Sequence, residues 1–440
     1  MKLLVITSFP ERSTTHSEKT VGVASYTKAL LTAMKREQPE NEITVFAETF
    51  KKGSLLSSQS SLRGESPTDA YEENGITISR SWQRNNLSSL FSLLVTLLKR
   101  PEKDLLVSFE VYMFGSPLVN FIALIGLCVL RLFGKHITTV VHQVLGNPKE
   151  LEKNAGKAFM LTIMKTILYR LLLLASTHVV VFEEQLKKQL PTSTKVVVIP
   201  HLISQTEKVA KDKARKELGL LQDEFYVLYF GYLSPYKGLE ELIENWQSRS
   251  EDSPRNLQRT RGETSPAVRD DSSERGVSPE SSTHLIIAGG PNPNHKTNSS
   301  YMNYVQTLER QMKGKNILAT GFVPEEKVPL YFSASDVLVL PYTTFMSSSG
   351  PLSLAFSYEL PVLLSEELAP YAKTQDIKDA LQKADLALSD ITFSRISRES
   401  LTKKLAFTNK NYTKLATFSR IIKSARSEST IAHKFWEVLK

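Results

Sequence analysis

Lys237 stands one residue ahead of a helix that opens near Gly238, and Gly231 closes the strand before it. Both lie in the segment Phe225–Trp246, FYVLYFGYLSPYKGLEELIENW. It begins with a run of β-formers, and Leu239, Leu242, Ile243 and Trp246 follow at helical spacing. The glycine lets the backbone turn tightly, and a lysine beside the free N–H groups of a helix start can hold an anion such as a phosphate. A solvated lysine on an ordinary strand–loop–helix crossover would give the same pattern, so the rest of the chain has to decide. Gly22 is a second position of this kind. A first strand, Lys2–Thr7, leads through a polar loop to a helix starting there, GVASYTKALLTAM. It stands alone, without the G-x-G-x-x-G spacing of a dinucleotide site. His142 follows the strand Ile137–Val141. In a doubly wound sheet that end faces the ligand crevice, where an imidazole can contact a substrate or move a proton; a structural histidine bonded within its loop is the alternative.

Composition narrows the chemistry. The one cysteine, Cys128, excludes an internal disulfide framework and any multi-cysteine metal site, and makes the cytoplasm the simplest compartment. No Asp-x-Asp pair occurs, so no metal clamp of that kind is expected. The net charge of +9 suits an anionic substrate, a membrane surface or nucleic acid. Nucleic acid is disfavoured, since there is no RNA-binding basic–aromatic motif and no zinc-finger spacing. The apolar start, Met1–Pro10, is too short for a signal peptide and reads as the first strand. Pro117–Leu130 is strongly apolar but stops at Arg131, short of the roughly 20 residues a membrane span needs. Met160–Ala175 contains Lys165 and Arg170. Both read as buried or interfacial helices.

Elements must position these residues, and 440 residues suggest two domains. Strands and helices alternate from Lys2 to Pro200, which predicts an open parallel sheet over residues 1–203, with 51–74 a polar loop. The pattern resumes at Phe225 and predicts a second such sheet over 204–415. Its strands are Phe225–Phe230, His284–Ala288, Asn316–Thr320, Val337–Leu340 and Pro361–Leu364. Residues 248–282 have no aromatic residue and are dense in Ser, Arg, Asp, Glu and Pro, so they are expected to be a disordered insertion. The tail reads as helical and basic, and 416–440 are expected to pack back on the first domain. The fold class is therefore α/β: two Rossmann-like, doubly wound parallel-sheet domains facing a central cleft, the default place for a ligand.

The second half carries an ordered set of marks: Gly231 with Lys237-Gly238, then LIIAGGP (Leu285–Pro291), then ILATGFVPEEKVPLYFSASDVLVLPY (Ile317–Tyr342), then Pro361-Val362. This resembles the nucleotide-sugar-binding domain of GT-B glycosyltransferases, most closely the retaining family-four type that includes many mannosyl- and glucosyltransferases. The first half is similar too, with its loop to Gly22, His142 after a strand, and Val198-Ile199-Pro200 closing the domain. The resemblance covers nearly the whole chain except the insertion. It implies that Lys237 contacts the donor diphosphate, that Gly22 lets backbone approach the diphosphate, and that His142 sits near the transferred sugar. It further implies that Phe322 and Val323 lie along the nucleotide base, and that Ser347, Ser348, Ser349 and Gly350, ahead of the helix at Pro351, face the sugar and phosphates. Four positions depart from the family pattern. Tyr232 stands where an arginine is usual, and Met346 and Leu354 stand where two glutamates are usual. Glu359 replaces a small residue and reads as a solvated helix end.

The resemblance thus implies a metal-independent hexosyltransferase, with a nucleoside diphosphate sugar as donor, retention of configuration, and no cofactor. A glycan or lipid-linked acceptor is expected. Apolar helices flanked by Lys99, Arg100, Lys157, Lys165 and Arg170 suit peripheral contact with an anionic membrane from the cytoplasmic side. Two rivals stand beside this reading. A non-catalytic GT-B relative would bind a nucleotide sugar or a partner protein in the same place, and the missing carboxylates fit it. A sugar-nucleotide epimerase would need carboxylates and a histidine converging on the sugar, and only His142 offers itself.

Overall fold

The computed structural model describes residues 1–10, 22–49, 70–146, 154–250, 283–292, 295, 297–313, 316–345, 349–394 and 396–440. Contacts divide the chain into two compact units, Met1–Ser204 with Arg426–Lys440, and Gln205–Ala425.

The first unit is built on strands β1 (Lys2–Thr7), β2 (Glu42–Glu48), β3 (Tyr71–Glu73), β4 (Ile76–Trp82), β5 (Asp104–Phe109), β6 (His136–Val141), β7 (His178–Val181) and β8 (Val196–Val198). Their order in the sheet is β3-β4-β2-β1-β5-β6-β7-β8. Continuous apolar runs such as Leu3–Ile6 and Leu105–Val107 are buried on both faces, as parallel strands covered by helices must be. The strands are parallel except for β3, which pairs antiparallel with β4. Of this hairpin, β3 and Asn74 fall in the stretch read as polar loop. Its turn is Asn74-Gly75 with φ of 53° and 73°, the two-residue geometry that asparagine and glycine tolerate. The chain adds β2 and β4 on one side of β1 and then returns to place β5 on the other. The reversal is a topological switch point, and the carboxyl ends of β1 and β5 flank it. Thr7 on β1, Ser108 on β5 and Thr27 of the helix Gly22–Glu37 join there through buried hydroxyls, at 3.2 Å and 2.9 Å from Thr27 Oγ1.

The last helix, Glu428–Leu439, belongs to this unit and packs on helix Gly22–Glu37. Trp436 Nε1 donates to the Met34 carbonyl at 3.0 Å. The preceding helix, Tyr412–Ala425, belongs to the second unit, so the chain crosses back at Ala425 and Arg426.

The second unit has strands β9 (Phe225–Phe230), β10 (Thr283–Ala288), β11 (Ile317–Gly321), β12 (Val337–Leu340), β13 (Val362–Ser365) and β14 (Thr392–Phe393). All are parallel, in the order β11-β10-β9-β12-β13-β14. The two-residue β14 interrupts a tail that the sequence presents as helical. The switch point here lies between β9 and β12. Helix Leu239–Ser250 follows β9 and includes Ser248–Ser250, the first residues of the expected insertion; 251–282 lie outside the described residues.

The base of β9 is fixed by a buried ion cluster. Asp336 accepts from the Tyr226 amide at 2.7 Å and from Arg215 Nη2 at 2.8 Å, and pairs with Lys211. Glu359 is not a solvated helix end. It has a positive φ of 56° and pairs with Lys208, Arg420 and Lys423. Burial pulls its carboxyl upward, but Lys208 and Lys423 together hold it below the usual range.

Candidate active site

In the second unit the backbone segments leaving β9, β10 and β12 touch one another at their carboxyl ends. Gly231 N donates to Ala288 O at 3.0 Å, and Leu233 N to Gly290 O at 3.0 Å. A Cβ at Gly289 would lie 1.9 Å from the Gly231 carbonyl oxygen, so this crossing admits only glycine. Tyr301 locks the loop from the side, donating to Leu233 O at 2.7 Å and accepting from Asn292 N at 2.6 Å. Pro235–Lys237 then forms a short 3-10 turn ended by Gly238 at φ 66°, where a Cβ would lie 1.8 Å from Pro341 O. Thr343 N closes the other side on Tyr236 O at 2.8 Å.

These contacts aim Lys237 inward. Its side chain turns back beneath Gly231, and an ideal Cβ on Gly231 would stand 2.6 Å from Nζ. The lysine is 7% exposed, with Nζ 5.7 Å from the centroid of the Tyr342 ring. No hydrogen-bond acceptor or carboxylate among the described residues takes its ammonium. Burial pushes its pKa down to about 8. A desolvated ammonium with no counter-charge is costly unless an anion completes it.

The helix Gly350–Ser357 begins beside this point, and Pro351 Cγ lies 3.6 Å from where a Gly231 Cβ would be. Ser349 caps it. Its hydroxyl accepts from Leu352 N, its amide donates to Tyr371 OH at 2.9 Å, and its Oγ lies 3.4 Å from Tyr342 OH. On the other flank Gly289 bridges to Gly321, and a Cβ at Gly290 would stand 3.0 Å from Phe322 N. Phe322 is 47% exposed, whereas Val323 is buried.

In the first unit His142 follows β6, tied by its amide to Phe109 O at 3.1 Å. Its ring meets Tyr26 edge-on at 5.3 Å and Phe182 at 5.3 Å. His201 touches the same two rings, at 4.3 Å and 5.2 Å. Burial drives the pKa of His142 down to about 3 and that of His201 to about 4. Both imidazoles are therefore neutral at pH 7, suited to hydrogen bonding rather than to supplying charge.

No known family profile matches the sequence, and no curated protein matches it. Solved structures match it over their whole length. Sucrose-phosphate synthase from Thermosynechococcus elongatus superposes with a TM-score of 0.62 at 14% identity, covering 99% of this chain and 98% of the other. Anabaena HepE in complex with UDP and glucose gives 0.58 at 14%, covering 100% and 99%. The α,α-trehalose-phosphate synthase (UDP-forming) from Burkholderia vietnamiensis gives 0.61 at 12%, covering 100% and 99%. The chain has the GT-B fold.

Within that GT-B framework, the expected residues fall into two groups. The second unit gathers Gly231, Lys237, Ser349, Gly350 and Phe322 around the carboxyl ends of its sheet, and the first holds His142 at β6 and opens a helix at Gly22. Val323 is buried, and the Ser349 hydroxyl accepts from Leu352 N as the helix cap. Ser347, Ser348 and Met346 lie outside the described residues. Sequence reasoning missed Tyr26 and His201. Their signals were present, one helical turn after Gly22 and directly after Pro200, but neither residue announces the other.

Proposed function

We propose that the protein is a hexosyltransferase that moves a sugar from a nucleoside diphosphate donor to a hydroxyl of a glycan or lipid-linked acceptor, with retention and without a metal. The observation that carries this reading is the buried ammonium of Lys237 at the switch point of the second sheet, which meets no counter-charge among the described residues. A diphosphate is the anion such a cation fits, and its developing charge on departure is what a preorganised ammonium would stabilise. Phe322 offers a ring face to the base, and Gly231 serves the donor by leaving the ammonium of Lys237 its place beside the phosphates. In the first unit we assign Gly22 to the diphosphate and neutral His142 to the sugar. Solved GT-B neighbours in complex with UDP or UDP-glucose support the donor class. The single cysteine is compatible with a cytoplasmic location.

The test is a thermal-shift panel of nucleoside diphosphates and their sugars, in wild type and Lys237→Ala. A ligand that binds only the folded chain raises the midpoint. A shift with one base that disappears in the variant supports the donor site; equal shifts in both would refute it. Leu354, on the helix after Ser349, favours one second reading, a binder without turnover, because no carboxylate stands at that position. Nucleotide-sugar binding with neither donor hydrolysis nor transfer would select it.

A further inference from the structure

Three helices of the first unit lie side by side. Leu87–Lys99 packs on Pro117–Leu132, where Leu94 reaches within 2.3 Å of the place a Cβ on Gly126 would take. Pro117–Leu132 in turn packs on Ala155–Ala175, with Cys128 Sγ 3.7 Å from Leu171 O. Each helix buries one apolar stripe inside the unit, the first two against strands as well as against each other and Ala155–Ala175 against Pro117–Leu132, and turns a second stripe outward. Phe91 on the first is 69% exposed, Leu132 on the second 85% and Phe159 on the third 65%. Leu118, Ile163 and Leu174 continue the outward rows at helical spacing. A helix that is apolar all round belongs in a core or in lipid, and a soluble surface rarely shows so continuous an apolar area.

The charges on these helices have one sign. None of the three contains an aspartate or glutamate, and they carry Lys99, Arg131, Lys157, Lys165 and Arg170. Covering the face with a second copy of itself would set cation against cation. A bilayer rich in anionic lipid supplies both the apolar depth and the negative charge, with long basic side chains reaching up to the headgroups.

We propose that this three-helix face docks the protein in the interface of an anionic membrane, lying in its plane rather than spanning it. Ala155–Ala175 is long and apolar enough to cross a bilayer. Its inner side is committed to the protein, however, through buried Leu168, Tyr169 and Leu172, and Tyr169 OH accepts from Leu145 N at 2.7 Å. Lys165 and Arg170 would also lie in hydrocarbon if it spanned. The proposal goes beyond the donor-site reading and does not depend on it.

The test is flotation of the full chain with phosphatidylcholine vesicles, with and without phosphatidylglycerol. Wild type is expected to float with the anionic vesicles, and Phe159→Asp with Ile163→Asp to lower the bound fraction at least about tenfold. Lys157→Glu with Arg170→Glu is expected to abolish the preference for anionic over neutral vesicles. All four positions face outward or lie at the rim, so the thermal midpoint and any nucleotide-induced shift, read on the same samples, should match wild type. No flotation of wild type, undiminished flotation of the aspartate variant, or a solution dimer that the aspartates dissociate would overturn the proposal. None of these outcomes bears on nucleotide binding.

Discussion

Lys237 Nζ occupies the space that a side chain on Gly231 would need, 2.6 Å from an ideal Cβ there. The two residues are one device: the absence of a side chain at 231 gives the ammonium its place. Gly231 also has φ 121°, a conformation that costs an L-residue about 1–3 kcal/mol. Gly231→Ala is therefore expected to destabilise the second unit by that amount and to push the flexible lysine end aside. Calorimetry should show nucleotide affinity falling in this variant, even under conditions where it remains folded.

Lys237→Met keeps the length of the side chain and removes its charge. The unliganded protein should be as stable as wild type or more so, because no ammonium is then buried without a counter-charge. Nucleotide diphosphate affinity should drop about 10- to 100-fold, the worth of a charged hydrogen bond. With a folded pKa of about 8 against 10.5 when unfolded, the unfolded chain binds the extra proton between these values. Unliganded stability should therefore rise with pH across that window, by about 1.4 kcal/mol per unit, and the rise should vanish in Lys237→Met. Denaturant midpoints between pH 7 and 10 would measure this.

Gly289 and Gly134 separate backbone crowding from backbone conformation. A methyl at Gly289 would strike the Gly231 carbonyl oxygen at 1.9 Å, and no rotamer relieves a backbone clash. Gly134 has φ 85° but nothing within 4 Å of its Cβ position. Gly289→Ala is expected to prevent the second unit from folding, while Gly134→Ala costs about 1 kcal/mol. Limited proteolysis of the two variants would distinguish them.

Asp336 accepts from Arg215 and the Tyr226 amide in a buried site, where Arg215 and Asp336 side chains are each 6% exposed. Asp336→Ala leaves a guanidinium buried without its carboxylate, which costs about 3–5 kcal/mol. Trp246 lies in the core of this unit, whereas Trp82 and Trp436 lie in the other. Replacing the latter two by phenylalanine leaves Trp246 fluorescence as a reporter of the second unit, and its urea midpoint should fall sharply in Asp336→Ala.

The legible parts of this molecule were those fixed by local pattern. Runs such as Leu3–Ile6 and Val337–Leu340 are apolar because both faces are covered, and glycine with lysine after β9 marks a turn whatever the tertiary setting. What escaped depended on partners distant in sequence. Glu359 looked like a helix end because Lys208, Arg420 and Lys423 come from elsewhere in the unit. Phe322 and Val323 looked equivalent until the turn after β11 exposed one and buried the other. The β3 hairpin was announced by Asn74-Gly75, but three strand residues beside a long polar stretch give too little pattern to read.

Tyr26, His142, Phe182 and His201 lie outside any local pattern and make a joint prediction. The folded first unit keeps both imidazoles neutral down to about 3 for His142 and about 4 for His201. The unfolded chain protonates them near 6.5. Above that pH the two states bind the same number of protons at these sites and nothing changes. As pH falls from 6.5 toward 4 the unfolded state takes up protons that the folded one refuses, and stability is lost at about 1.4 kcal/mol per unit for each histidine. Removing one histidine should halve that part of the slope. His201→Phe keeps the ring contacts with Tyr26 and Phe182 and is the better variant. Its thermal midpoint, followed by the fluorescence of Trp82 and Trp436 in a Trp246→Phe background, should fall less steeply between pH 6.5 and 4 than that of the same background alone. An unchanged slope would mean that the folded first unit admits the proton on His201.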